Sequence, residues 1–187
     1  MHADKLSSTC IAGSVSANLT YYYVFMHLPA CYLGYYTLPF LVHGQAKHVH
    51  ACEWNPNSVE ALRRNLVLNG VDPGRCTVHE GDNALSAPAL YDKADRICLG
   101  LLPTSTKSWL SAVRIARPYA PVTIHVHENV ADTDIEQWVS STRLLFERMS
   151  AEEGKPRAVT ARSLEKVKTY APHVYHIVLD LDLSSCS

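Results

Sequence analysis

The sequence predicts an α/β domain whose mostly parallel sheet ends in an antiparallel hairpin. Three observations predict it. From residue 48 onward, short apolar and β-branched runs alternate with stretches of helical periodicity. Each of the early runs breaks off into turn or cap residues before the next helix. The last two runs, residues 159–167 and 174–181, are joined by too few residues for a crossover helix, so they must pair antiparallel.

Element by element, His48, Val49, His50, Ala51 and Cys52 form a strand ending at Glu53. Asn55 suits a helix cap and Pro56 the first turn. Val59, Leu62, Leu66 and Val67 recur at helical spacing, with Arg63, Arg64 and Asn65 on other faces, and Asn69-Gly70 stops the helix. Residues 76–79 form a strand leading into Glu80, Gly81, Asp82 and Asn83. Residues 94–99 form another that runs out into Gly100, Leu101, Leu102 and Pro103, followed by a helix over 107–115. Residues 122–126 are β-branched and strand-like. Asp132 is expected to cap a long helix reaching about Glu153, closed by Gly154. Parallel neighbours need right-handed crossovers, which puts helices on both faces of the sheet.

The 187 residues suit one domain with a full core. With 17 Lys and Arg against 18 Asp and Glu, the net charge is -1, which excludes a strongly basic nucleic-acid binder; any contact with RNA must be local. None of the six cysteines forms a C-x-x-C pair, which argues against a zinc ribbon, and Cys52 and Cys98 read as reduced core residues of a cytoplasmic protein. Residues 19–42 are apolar over a length that mimics a membrane span, but Pro29, Pro39, His27, Gly34 and three consecutive tyrosines argue against a spanning helix. Residues 1–5 lack the pattern of a signal peptide.

In open α/β sheets, ligands bind at the carboxyl ends of the strands. That rule selects Gly34, Glu53, the pair Asp82 and Asn83, and the loop Gly100, Leu101, Leu102, Pro103, Thr104 and Ser105. Glu53 can accept hydrogen bonds from both hydroxyls of a ribose; it can equally be an acid favoured by the helix dipole. Asp82 can accept from an exocyclic amine, or belong to an ordinary turn. Thr104 or Ser105 can cap the following helix while the loop lines a pocket. His125 and His127 share one face of a strand and read as a packed or hydrogen-bonded pair, as do His48 and His50; no metal site is expected. A G-x-G-x-x-G dinucleotide fingerprint is missing before the acidic strand end.

Taken together, His48-Val-His-Ala-Cys-Glu-Trp-Asn-Pro-Asn, Ala61-Leu-Arg-Arg-Asn-Leu, Glu80-Gly-Asp-Asn and Ala94-Asp-Arg-Ile-Cys-Leu-Gly-Leu-Leu-Pro-Thr-Ser resemble the tRNA wybutosine-synthesizing protein 2 family. The end, Lys168-Thr-Tyr-Ala-Pro-His-Val-Tyr-His-Ile-Val-Leu-Asp-Leu, is similar too. The resemblance implies a Rossmann-like class I AdoMet-dependent methyltransferase fold over residues 32–183, with a tail at 184–187. It also implies transfer of the 3-amino-3-carboxypropyl group of S-adenosyl-L-methionine (AdoMet) to 4-demethylwyosine at position 37 of tRNA(Phe). The implied cofactor contacts are Gly34, Tyr35, Glu53, Trp54, Asp82, Asn83 and Gly100. Leu101, Leu102, Pro103, Thr104 and Ser105 would face the acceptor, and no residue is marked as the general base.

The related guanosine-37 N1-methyltransferases share the fold but carry an Asn-Leu-Pro type of loop where this chain has Gly100, Leu101, Leu102 and Pro103, which favours carboxypropyl transfer. The resemblance breaks upstream: Leu28 stands where the family has Asp, and Tyr32 where it has the first glycine of the cofactor loop. Residues 1–31 form an atypical segment, as a truncated or alternatively spliced start would. Weak AdoMet binding and low activity of this chain alone are the corresponding expectation, with a non-catalytic remnant as the remaining reading.

Overall fold

The computed structural model describes residues 22–26, 36–44, 46–82, 85 and 87–185, the first segment as backbone alone. Among them, seven strands form one sheet: β1 (Tyr22–Met26), β2 (His48–Glu53), β3 (Cys76–Glu80), β4 (Arg96–Leu99), β5 (Val122–Ala131), β6 (Arg157–Ala171) and β7 (Val174–Ser185). Their order is β3–β2–β1–β4–β5–β7–β6. The first five pair in parallel, while β7 lies antiparallel between β5 and β6. The antiparallel hairpin expected from the short link is therefore present. The sheet also takes in Tyr22–Met26, ten residues ahead of the boundary expected at residue 32, and β7 continues past the boundary expected at residue 183.

Among the described residues, four helices cover the sheet: α1 (Thr37–Val42), α2 (Pro56–Leu68), α3 (Trp109–Ile115) and α4 (Ile135–Glu152). The strand alternation sorts the core into two layers. Ile97 and Leu99 pack with Trp109 of α3 and Phe146 of α4, whose rings lie 5.2 Å apart. Cys98 points to the opposite face, where it packs with Val49 and with Phe40 and Leu41 of α1; Leu66 of α2 joins this layer.

Local chemistry sets the helix ends. Asn55 caps α2, its Oδ1 accepting from the Asn57 amide at 3.0 Å, with Pro56 in the first turn. At the other end, Gly70 takes φ +63°, the Gly70 amide reaches Val67 O and the Val71 amide reaches Leu66 O, both at 3.0 Å. Gly154 (φ +72°) closes α4 by the same paired bonds, to Ala151 and Ser150. These are Schellman closures, in which the left-handed residue is cheapest as glycine. Asp132 does not cap α4 as expected. It opens a 3-10 turn ahead of the helix, and its carboxylate meets His173 at 3.2 Å.

β5 and β7 hold a buried charged group. Asp180 receives His125 Nδ1 at 2.6 Å, Arg162 Nη2 at 2.9 Å and Ser163 Oγ at 2.8 Å. Burial alone would push the Asp180 carboxyl up, but the bonds from His125, Arg162 and Ser163 outweigh it and hold it well below its ordinary value. Its contribution is then complete above the ordinary carboxylate pKa and is lost as the solution turns more acidic. Asp180→Ala takes the carboxylate from a fully buried imidazole and leaves Arg162 only its longer contact with Asp182, and should cost about 3 kcal/mol at neutral pH, read from urea unfolding. The deficit should shrink in acid.

Candidate functional site

Parallel pairing brings the exits of β2, β3 and β4 to one edge of the sheet. Glu53 closes β2 directly beside Glu80 of β3, and the Gly81 amide donates to the Glu53 carbonyl at 2.9 Å. The Glu53 side chain is only 2% exposed, and its Oε1 accepts from the Asn55 amide at 2.8 Å. That bond sets the Glu53 carboxylate at the head of α2, whose first turn holds no acid of its own, so the helix-dipole role stands beside the ribose role. Its neighbours present different surfaces: the Trp54 ring is more than half exposed, and Asp82 is exposed just beyond the positive-φ turn at Gly81. Gly34, Tyr35 and Asn83, together with Leu28 and Tyr32, lie outside the described residues.

Beyond β4, Gly100 is buried, Leu101 and Leu102 are half-buried, and Pro103 and Thr104 face outward. The loop is pinned to the end of β5. The Asn129 amide donates to Pro103 O at 3.0 Å, Thr104 forms an isolated antiparallel bridge with Glu128, and Thr104 Oγ1 donates to Glu128 Oε2 at 3.0 Å. Thr104 Oγ1 also accepts from the Thr106 amide, a local turn bond ahead of the helix. The cap expected of Thr104 or Ser105 is not formed: Ser108 holds the N-cap position of α3, and Ser105, at the head of the preceding 3-10 turn, makes no capping bond. Ser105 is 1% exposed, its hydroxyl donates to His127 O and accepts from Trp109 Nε1, and it anchors the loop from beneath.

The histidines settle as hydrogen-bonded groups. His48 meets Gly74 O and Thr77 Oγ1, and His50 Nδ1 lies 3.1 Å from His79 Nε2. Burial, then the neighbouring His48, His79 and Lys93, lower His50 to about 4. His125 binds Asp180 and His127 binds His176, partners that lie 55 and 49 residues away along the chain. Among the described residues, no group of three or more His, Cys, Asp or Glu side chains could hold a metal.

Glu128 was not singled out by the sequence, since an acid within a β-branched run carries no signal of its own. Burial raises its pKa, offset in part by Thr104 and the Ser105 amide. A cavity of about 320 Å³ lined by Asp95, Arg96, Arg117, Thr123 and Arg162 lies at the amino ends of β4 and β5, away from this edge.

With this geometry in place, comparison with known proteins gives its family. The family described as the TRM5/TYW2 methyltransferase domain matches residues 24–154. The chain belongs to this family. A tRNA wybutosine-synthesizing protein 2/3/4 of Arabidopsis thaliana is 45% identical over 149 residues, covering 80% of this chain and 15% of the relative. The tRNA wybutosine-synthesizing protein 2 homolog of Homo sapiens is 36% identical over 203 residues, covering 82% of this chain and 45% of the relative. The chain thus spans less than half the length of these relatives. Among solved structures, P. horikoshii TYW2 in complex with MeSAdo superposes with a TM-score of 0.79 at 28% identity, covering 98% of this chain and 64% of that one. M. jannaschii TYW2 in complex with AdoMet gives a TM-score of 0.81 at 24% identity, covering 100% and 77%, a likeness of fold. No helix among the described residues is long and apolar enough to cross a membrane.

A raised carboxyl pKa makes folding more favourable at low pH, and that advantage disappears as pH rises through the folded-state value. Glu128→Gln should therefore gain in melting temperature relative to the parent as pH rises from acidic to neutral. A titration of Tm against pH, compared with the parent chain, checks it.

Proposed function

We propose that this domain transfers the 3-amino-3-carboxypropyl group of AdoMet to 4-demethylwyosine at position 37 of tRNA(Phe), in the cytoplasm. The observation that carries this reading is the edge where Glu53, Asp82 and the Pro103 loop converge in a chain of this family. The relatives' names and the AdoMet and MeSAdo complexes of the two TYW2 structures support it. For the tRNA partner, the support is a structural neighbour, aTrm5, solved with tRNALeu.

The residues fit the co-substrate chemically. Glu53 is a buried carboxyl group at the strand end where a ribose diol is bound in such sheets. Exposed Trp54 and Asp82 flank it with an aromatic face and an acceptor for an adenine amine. AdoMet supplies carbons made electrophilic by a sulfonium. The chain's part is alignment: Glu53 holds the nucleoside end, and the loop from Gly100 to Thr104, braced on β5, fixes where the acceptor sits. Which carbon reacts then depends on which one faces the base.

Two measurements test this. Glu53→Ala should weaken AdoMet binding at least tenfold by titration calorimetry, the loss expected when hydrogen bonds to a charged group are removed (~1.5–3 kcal/mol). Glu53→Gln should fall between the two. AdoMet labelled either in the carboxypropyl chain or in the methyl, incubated with tRNA bearing the tricyclic base, should pass only the carboxypropyl label, and slowly. Methyl label on tRNA would assign guanosine-37-type methylation instead, and no label would assign a non-catalytic remnant.

A further inference from the structure

We infer that His127, Asn129 and His176 form a hydrogen-bonding wall of the acceptor pocket, which recognises the polar edge of a planar nitrogen heterocycle. The location of the acceptor rests on the carboxypropyl-transfer reading above. The β5–β7 register places Asn129 directly opposite His176, and His127, two residues earlier on β5, shares their face. β4 leaves the sheet at Leu99, paired with Val126, so all three residues lie at the carboxyl edge. Asn129 touches the acceptor loop itself through the hydrogen bond its backbone amide donates to Pro103 O. The Tyr36 ring stands edge-on to His127, with centroids 5.7 Å apart.

Burial is what makes the group unusual. His127 is 1% and His176 3% exposed. Their one mutual bond joins His127 Nδ1 to His176 Nε2 at 3.1 Å. His127 Nε2, His176 Nδ1 and both amide atoms of Asn129 are buried without a hydrogen-bond partner among the described residues. Leaving such atoms unmade is costly, and proteins concentrate them where a ligand completes the set.

The unfilled set has a definite character. Burial, then His127 and Lys168, lower His176 to about 4, so its ring carries a single proton at neutral pH. If Nε2 of that ring donates to His127, the outer Nδ1 accepts; if Nε2 accepts, Nδ1 donates. The shared bond uses one nitrogen of each ring, so the pair leaves two outer nitrogens, Nε2 of His127 and Nδ1 of His176, and the Asn129 side chain adds one donor and one acceptor. A fused purine-type base, with ring nitrogens and carbonyl groups along one edge, matches that pattern. A hydrocarbon face or a phosphate does not.

The test compares binding of two anticodon stem-loop RNAs to the full chain by fluorescence anisotropy. One carries 4-demethylwyosine at position 37 and the other guanosine. The parent chain should prefer the tricyclic RNA about tenfold. Asn129→Ala and His176→Phe should each reduce that preference to within about twofold, with AdoMet affinity unchanged. If Asn129→Ala lowers the melting temperature, Asn129→Asp, which keeps the volume and removes the donor, serves in its place. Equal binding of both RNAs by the parent chain, or an undiminished preference in the variants, overturns the inference. Failure of the carboxypropyl-transfer reading would show separately, as absent AdoMet binding or absent label transfer.

Discussion

Every feature of the candidate site depends on one constraint: parallel strands all finish at the same edge. Once β2, β3 and β4 pair in parallel, Glu53, Asp82 and the Pro103 loop must emerge together, although they are dispersed over some fifty residues of sequence. β5 extends that edge. It runs several residues beyond the end of β4, and the surplus carries the groups that hold the loop: the His127 carbonyl, the Glu128 carboxylate and the Asn129 amide. The chemistry is borne by loops, but a strand fixes their position, and a strand is stiffer than any loop-to-loop contact.

The antiparallel hairpin has a share in this. β7, inserted between β5 and β6, runs against its neighbours and so begins at the carboxyl edge. His176 comes from that first portion, whereas Asp180 lies deeper and ties β7 to His125. A single inserted strand thus supplies one residue at the edge and one buried anchor. The turn that starts it, Pro172-His173, places His173 at φ +58° and returns its imidazole to Asp132 at the head of α4.

The sequence discloses what is local. Asn55, Pro56, Gly70 and Gly154 mark helix ends because capping is decided within a few residues, and Glu53 stands out because it falls between a strand and a cap. Non-local facts stay hidden. Nothing near His125 announces Asp180, and nothing near His127 announces His176; only the strand register joins them. Ser105 resembles a cap, yet it turns inward because Trp109 and the end of β5 present better partners. β5 continues through Glu128 and Asn129, where the β-branched pattern fades, because β7 pairs along its whole length. β1 is hidden because its residues merge into a longer apolar stretch, and the partners that define it come later in the chain.

The account's central claim is that the carboxyl edge, and no other surface, receives AdoMet. Backbone amide shifts of the isotopically labelled chain, followed by nuclear magnetic resonance as AdoMet is added, test it directly. The account predicts saturable changes concentrated at Glu53, Trp54, Gly81, Asp82 and the loop from Gly100 to Thr104. Changes concentrated instead around Arg96, Arg117 and Thr123, at the amino ends of β4 and β5, or no saturable change at all, would contradict it.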